Sequence, residues 1–365
     1  MIDIAERKIS FPHMGNYFVA LQPLAKLIAG EVLEPPPISK QTIEWGYKNS
    51  PECVCVPFKY NLGNYIEALE RGANILVQAG GGCRFGYYGE VQEEILKKMG
   101  YKFEFLKLAN SYSPLSLAKD FRLLNPKLTY LKIYRTFLLC YFRLSSIDRL
   151  EDFIRKNIGF EKQKGEFEKM HKGFLRDLAG ATSWWETRKL YKKYVMLFQN
   201  IPVEKPAKPL RVGIVGELYV LMEPFSNFQI EKELAKKGIE VHRFVTVSSI
   251  LHDCLDEVLF SRQLRKLIRE ARPYLKFHLG AHGTESVAKT LELIKDGFDG
   301  VIHIKPFGCM PEVNAMSALH KISKDYEFPI IYFSFDAQSS ETGIKTRLEA
   351  FYDMLTMKKR HNEQQ

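Results

Sequence analysis

The sequence predicts an α/β protein made of two doubly wound Rossmann-like domains with mainly parallel sheets and a helical insertion between them. Three observations lead there. Short apolar strand candidates alternate with helix-period patterns in both halves of the chain. A strand, a loop, a cysteine and a helix follow one another once in each half at the same offset. Residues 113–199 read instead as helices, rich in aromatics and lysines. The expected boundaries are an N-terminal α/β domain over 1–112, the helical insertion over 113–205 and a C-terminal α/β domain over 206–365.

The elements follow in order. "KISFPHMGNYFVALQPLAKLIAGEVLEPP" opens the first half as strand, loop and helix. Pro23 should bend that helix or mark its start, because proline has no N–H and its ring clashes with the preceding turn. "VPFKYNLGNYIEALE" is a loop passing into a helix, and "NILVQA" is a strand candidate ending at Ala79. Cys83 stands four residues further on, and "YYGEVQEEILKKMG" has helical periodicity through Val91, Ile95 and Met99. In the helical stretch Trp184 and Trp185 read as packing residues, since aromatics dominate core burial. Pro202, Pro206 and Pro209 mark the crossing into the second half, because proline resists both helix continuation and ladder hydrogen bonding. "LRVGIVG" is the next strand, followed by a helix in which Phe228, Ile230 and Leu234 could face a sheet. "VIHIK" ends at Lys305, Cys309 again stands four residues further on, and Pro311 lies in the first turn of the helix after it. Beyond the strand "PIIYFSF", Ser339, Ser340, Glu341 and Thr342 read as a helix cap in preference to lining the strand-end crevice.

Composition narrows the function classes. With 365 residues and 45% hydrophobic content the chain can bury a sizeable core. "MIDIAERK" is too polar for a signal peptide, and no apolar run approaches the ~20 residues of a membrane helix, so the expected location is the cytosol, away from membranes. The formal charge of +10 is modest, with basic and acidic residues interspersed and no RNA-binding signature or zinc-finger spacing. Solvated surface explains it better than nucleic-acid binding, which would show steeply salt-dependent affinity. Neither G-x-G-x-x-G nor G-x-x-x-x-G-K-[ST] occurs.

Six cysteines without a C-x-x-C pair, in a chain expected in the cytosol, do not make a disulfide scaffold. Cys140 and Cys254 lie in helix-like runs and read as core. Cys55, Cys83 and Cys309 lie at turns, the last two following strand carboxyl ends, where open α/β sheets collect their ligands. A cysteine at a helix N-terminus has its thiolate favoured by the terminal N–H groups, which is what a metal ligand needs. Three thiolates leave one corner of a tetrahedral arrangement open, which fits a cubane cluster with a labile iron better than a closed structural zinc site. Ligation by Cys53 as well would make a four-thiolate zinc site arguable.

At these residues the chain resembles a known family. "CVPFKYNLGNYIEALERGA", "GGGCRFGYYGEVQ", "VGIVGELYVLMEPFSN", "HIKPFGCMPEVNA" and "FDAQSSETGIKTRLEAFYDML" are similar to the 2-hydroxyacyl-CoA dehydratase D-component family, in its branch of CoA-protein-activase-related iron–sulfur proteins. The resemblance implies a 4Fe-4S or double-cubane cluster held between two α/β domains by Cys55, Cys83 and Cys309. It also implies an actin-like ATPase activase that delivers low-potential electrons, a homo- or heterodimer partner of the same family, and an acyl-CoA or other small-molecule substrate. Lys59, Arg84 and Lys305 would then place positive charge near an anionic cluster and raise its potential, the alternative for each being a solvated surface charge. His282 occupies in the second half roughly the place of Cys55, where it could donate a proton or hydrogen-bond a cluster ligand, but without a visible partner it reads as an incidental loop histidine. The alternative to a reductive or dehydrating enzyme is a non-enzymatic partner, either cluster-carrying or zinc-stabilised.

Overall fold

Strands and helices alternate through the residues that the computed structural model describes, which are 3–52, 54–78, 84–107, 114–249, 257–336 and 338–364. Strands β1 (Lys8–Ser10), β2 (Glu31–Val32), β3 (Ile75–Gln78) and β4 (Glu104–Lys107) form one sheet in the order β2-β1-β3-β4. Strands β5 (Leu210–Gly216), β6 (Ile239–Arg243), β7 (Gly300–Pro306) and β8 (Ile330–Phe335) form a second in the order β6-β5-β7-β8. Every pairing between these strands is parallel. The chain is thus a mixed α/β protein with two four-stranded parallel sheets, as its alternating pattern predicts. β7 is buried along its whole length and β5 from Val212 onward, which is why both read as near-continuous apolar runs.

Helices α1 (Phe18–Ala25), α2 (Lys40–Asn49), α3 (Val56–Glu70) and α4 (Tyr88–Lys98) belong to the first sheet's part of the chain. Then come α5 (Pro114–Leu124), α6 (Tyr130–Asn157), α7 (Glu166–Gly180) and α8 (Trp184–Gln199). Around the second sheet lie α9 (Leu218–Met222), α10 (Ile230–Lys236), α11 (Glu257–Ala271), α12 (Gly283–Lys295), α13 (Met310–Asp325) and α14 (Glu341–Gln364). The chain divides into two compact units: Met1–Ile147 with Phe174–Lys193 and Ile250–Glu257, and Asp148–Gly173 with Tyr194–Ser249 and Val258–Gln365. The helices of the middle stretch are therefore shared out between both units.

In unit 1 the period of the strand divides the core. Ile75 joins Ile9, Ile28, Phe121 and Ile133, while its neighbour Leu76 joins Phe58, Leu62, Ile66 and Leu96. α2 opens with a capping box between Ser39 and Thr42, and Thr42 Oγ1 also donates to the buried Glu67 carboxylate of α3 at 2.8 Å. In unit 2, Val287, Leu291, Ala315 and Leu319 pack α12 against α13.

Pro23 lies inside α1, and the missing N–H strips the carbonyl of Val19 of its helical donor. Buried Arg143 of α6 supplies the replacement, donating to Val19 O at 2.6 Å and to the carbonyls of Ala179 and Ala181 at 3.1 and 2.6 Å. Burial holds that guanidinium below the usual arginine range. Cys140, one turn earlier, is fully buried as expected, and burial pushes its thiol up to about 12. Cys254 lies outside the described residues.

Three sequence expectations need correcting. "VPFKYNLGNYIEALE" is helical from Val56 to Glu70 instead of beginning as a loop, because Pro57 lies in the first turn, where its missing N–H has no helical acceptor to lose. On α4 the buried stripe is Gly89, Gln92 and Leu96, while Val91 and Met99 are exposed. Gln92 goes inside because its amide donates to the Phe58 carbonyl at 3.1 Å, a pairing that apolar periodicity does not register. The tryptophans also split. Trp184 stacks on Phe142, but Trp185, stacked on Trp184 at 3.6 Å, is 63% exposed. Ile230 and Leu234 are buried in α10, whereas Phe228 precedes that helix at φ 54° and stacks on Phe335. Ser340 caps α14 as expected, accepting from Gly343 N at 3.2 Å.

The three carbonyls gathered by Arg143 make a stability prediction. Arg143→Met leaves them without their donor inside unit 1 and should lower unfolding free energy by about 2–4 kcal/mol. Urea denaturation would read this as a lower midpoint at unchanged slope.

Candidate functional site

Parallel strands present their carboxyl ends along one edge, and the two described site cysteines, Cys55 in unit 1 and Cys309 in unit 2, each stand at a helix start close to such an edge. In unit 1, Cys55 is the N-cap of the 15-residue α3, with Pro57 in its first turn. Its Sγ lies 2.8 Å from the hydroxyl of Tyr88, the first residue of the helix that follows β3. Tyr88 is itself fixed edge-on against Phe58, with ring centroids 4.8 Å apart. Lys59 is half-buried one turn into α3, and its ammonium sits 4.2 Å from the centroid of the Tyr47 ring. Arg84 begins a 3-10 turn, Arg84–Tyr87. Cys83, Cys53 and the Arg84 side chain fall outside the described residues.

In unit 2, Cys309 is half-buried and is the N-cap of the 16-residue α13, with Pro311 in its first turn. The P-F-G-C sequence makes a turn closed by Cys309 N–H to Pro306 O at 3.2 Å, with Gly308 at φ 79°, a conformation glycine reaches without strain. Lys305, the penultimate residue of β7, is 4% exposed. Burial pulls its ammonium below the usual lysine range, and the charges of Cys309 and Glu312 pull it part of the way back.

Behind this turn lies a polar group that the motifs did not announce. Glu312, in the first turn of α13, is buried with its Oε2 2.8 Å from His303 Nε2 and 3.0 Å from Ser286 Oγ. His303 is fully buried in the middle of β7. Glu312 Oε1 and His303 Nδ1 have no hydrogen-bond partner among the described residues. The one available signal is in "GVIHIKP", where polar His303 and Lys305 share the pleat of a strand buried on every residue.

His282 is the N-cap residue of α12, the helix leading into β7, just as Cys55 is for α3, the helix leading into β3. It has a partner after all, since its Nδ1 lies 3.0 Å from Glu285 Oε2. Ala281, immediately before it, is held at φ 41°, a region where a β-carbon is strained. A β-carbon on Gly283 would come within 2.6 Å of the Pro311 carbonyl, so only glycine lets the start of α12 approach the start of α13 this closely. Burial opposes a charge on His282, but the hydrogen bond to Glu285 and the charges of Glu285, Glu217 and Glu312 outweigh it and hold the imidazole above its usual range. Glu217, which follows β5, accepts from Tyr219 N and Val220 N at 3.1 and 3.0 Å. Burial raises its carboxyl above the usual range; those two donors and His282 act against the rise, and Glu312 adds to it. Unit 2 thus brings a thiol, a buried ammonium and two histidine–carboxylate pairs to the neighbourhood of one strand edge.

Among the described residues no three His, Cys, Asp or Glu side chains gather at metal-ligand spacing. No helix among them is long and apolar enough to cross a membrane. No family model and no curated protein matches the chain.

Two outcomes follow from this geometry. His282 is held in its charged form, so its contribution to stability is full below the ordinary histidine pKa of about 6.5 and fades as pH rises through the higher folded value. The stability difference between the wild type and His282→Gln, from thermal melts across pH, should be larger at acid pH and shrink toward alkaline pH. Glu312→Leu strands the His303 and Ser286 donors and should cost about 2–4 kcal/mol in urea denaturation, with Glu312→Gln costing less.

Proposed function

We propose that the chain is a cytosolic iron–sulfur protein resembling 2-hydroxyacyl-CoA dehydratase subunits, with Cys55, Cys83 and Cys309 holding one 4Fe-4S or double-cubane cluster. The observation that carries this reading is the placement of Cys55 and Cys309, each at the N-terminus of a long helix and each next to the carboxyl end of a parallel strand. Neither sulfur caps its own helix, so both first turns keep their partial positive charge available to stabilise a thiolate. The donor chemistry fits, since soft thiolates select iron–sulfur clusters over hard cations. Lys305 adds a buried positive charge beside Cys309, and Arg84 and Lys59 are proposed to do the same from unit 1. When bound, such a cluster supplies low-potential one-electron chemistry for a reduction or a dehydration.

The finer architecture belongs to the same proposal. In both sheets the chain runs outward from the first strand to the second and then crosses to the other side of the first, an order that supports doubly wound, Rossmann-like domains with a ligand crevice between first and third strands. Glu217 and Cys309 follow those two strands in unit 2. An actin-like ATPase activase as electron donor, a related subunit as partner and an acyl-CoA or similar small molecule as substrate complete the reading. A non-enzymatic cluster carrier or zinc-stabilised partner is its alternative.

Anaerobic purification with iron and sulfide analysis tests this. The expected result is a coloured protein with a broad visible charge-transfer band, and Cys83→Ser and Cys309→Ser should each lower iron and sulfide content while the secondary structure is retained. A colourless protein with stoichiometric zinc would replace the cluster by a closed zinc site. Metal content indifferent to both substitutions would remove the centre altogether.

A further inference from the structure

A second concave surface lies in unit 2 at the amino ends of the strands. Arg211 is the second residue of β5, Glu240 the second of β6, and Phe298 and Asp299 immediately precede β7. The proline segment 205–209 forms one wall of this groove and α14 the other, enclosing about 980 Å³. Five basic side chains line it, against the two carboxylates of Glu240 and Asp299.

Four of the five cations are held in place by main-chain carbonyls, and Lys208 is exposed. Lys205 Nζ donates to Lys156 O at 2.9 Å, Lys359 Nζ to Pro209 O at 2.8 Å, and Lys358 Nζ to Glu327 O. Arg211 Nη2 donates to Asp296 O and Gly297 O at 2.9 and 2.8 Å, while the guanidinium lies over the Phe298 ring. Lys205 and Lys359 are neutralised by Glu240 and Asp299. Lys208, Arg211 and Lys358 form no ion pair among the described residues. The Lys358 ammonium, bonded to one carbonyl, keeps two N–H donors and the Arg211 guanidinium keeps its other N–H groups, so both are fixed in position and still able to bind an anion, to which the exposed Lys208 adds its charge. Point charges at fixed spacing suit phosphate oxygens.

We propose that this groove, where Lys208, Arg211 and Lys358 stand un-neutralised around a cavity of about 980 Å³, binds a small polyphosphate ligand. The proposal is independent of any cluster.

Isothermal titration of the full chain with sodium tripolyphosphate at low salt tests it, with thermal melts confirming that each variant folds. Saturable binding that weakens as potassium chloride is added is expected. The Lys208→Glu, Lys358→Glu double reversal should weaken it by about tenfold or more, and Lys208→Ala, at an exposed position, by about threefold. A charge-matched control, Lys189→Glu with Lys192→Glu on the exposed side of α8, should leave affinity within about twofold. Absence of saturable binding, equal weakening by both double reversals, or tighter binding of hexaglutamate than of tripolyphosphate would each overturn the assignment.

Discussion

A parallel ladder obliges the chain to travel back across the sheet before the next strand can pair, so every strand ends at the same edge. Both sheets obey this constraint, and the candidate site follows from it. The segment leaving β5 is joined to its neighbour through Glu217 N–H to Ile304 O at 3.0 Å. The helix preceding each third strand starts at that edge too, which is how Cys55 comes within bonding distance of Tyr88 and how the start of α12 touches the start of α13. Residues scattered along the sequence become neighbours because of the direction of the hydrogen bonds, before any side chain has been chosen.

Side-chain choice then departs from what packing alone favours. An apolar residue at position 303 or 312 would fill unit 2 without the desolvation that a buried imidazole and carboxylate bring. Their mutual bond at 2.8 Å and the Ser286 hydroxyl offset part of that cost, yet one atom on each stays unpaired among the described residues. Polar groups kept at such expense next to a glycine turn, a strained Ala281 and a buried lysine are the pattern expected where local rules yield to a site.

The fold was legible where period and punctuation agree. "VIHIK" and "LRVGIVG" are continuous apolar runs and became buried strands, and Pro311 and the Ser340 cap mark helix starts where the chain begins them. Legibility failed where a hydrogen bond, rather than hydrophobicity, decides which side faces in. Gln92 is buried for the Phe58 carbonyl, and Val91 is left outside. In the site, the stretch after Cys55 reads as a loop although Pro57 already lies in the first turn of α3, whereas the position of Cys309 at a helix start was readable from Pro311. The partners of His282 and His303 were not, because Glu285 and Glu312 look like ordinary first-turn acidic residues until the tertiary fold brings their oxygens to a ring nitrogen.

Arg143 carries a consequence for how the protein is made. The donor that repairs the proline-broken α1 is encoded more than a hundred positions downstream, and two of the carbonyls that share it are encoded later still. Unit 1 is accordingly assembled from pieces that leave the ribosome at different times, with residues 174–193 arriving after part of unit 2 has been synthesised. A fragment truncated directly after its first sheet, at Lys107, lacks the Arg143 side chain that completes its own opening helix.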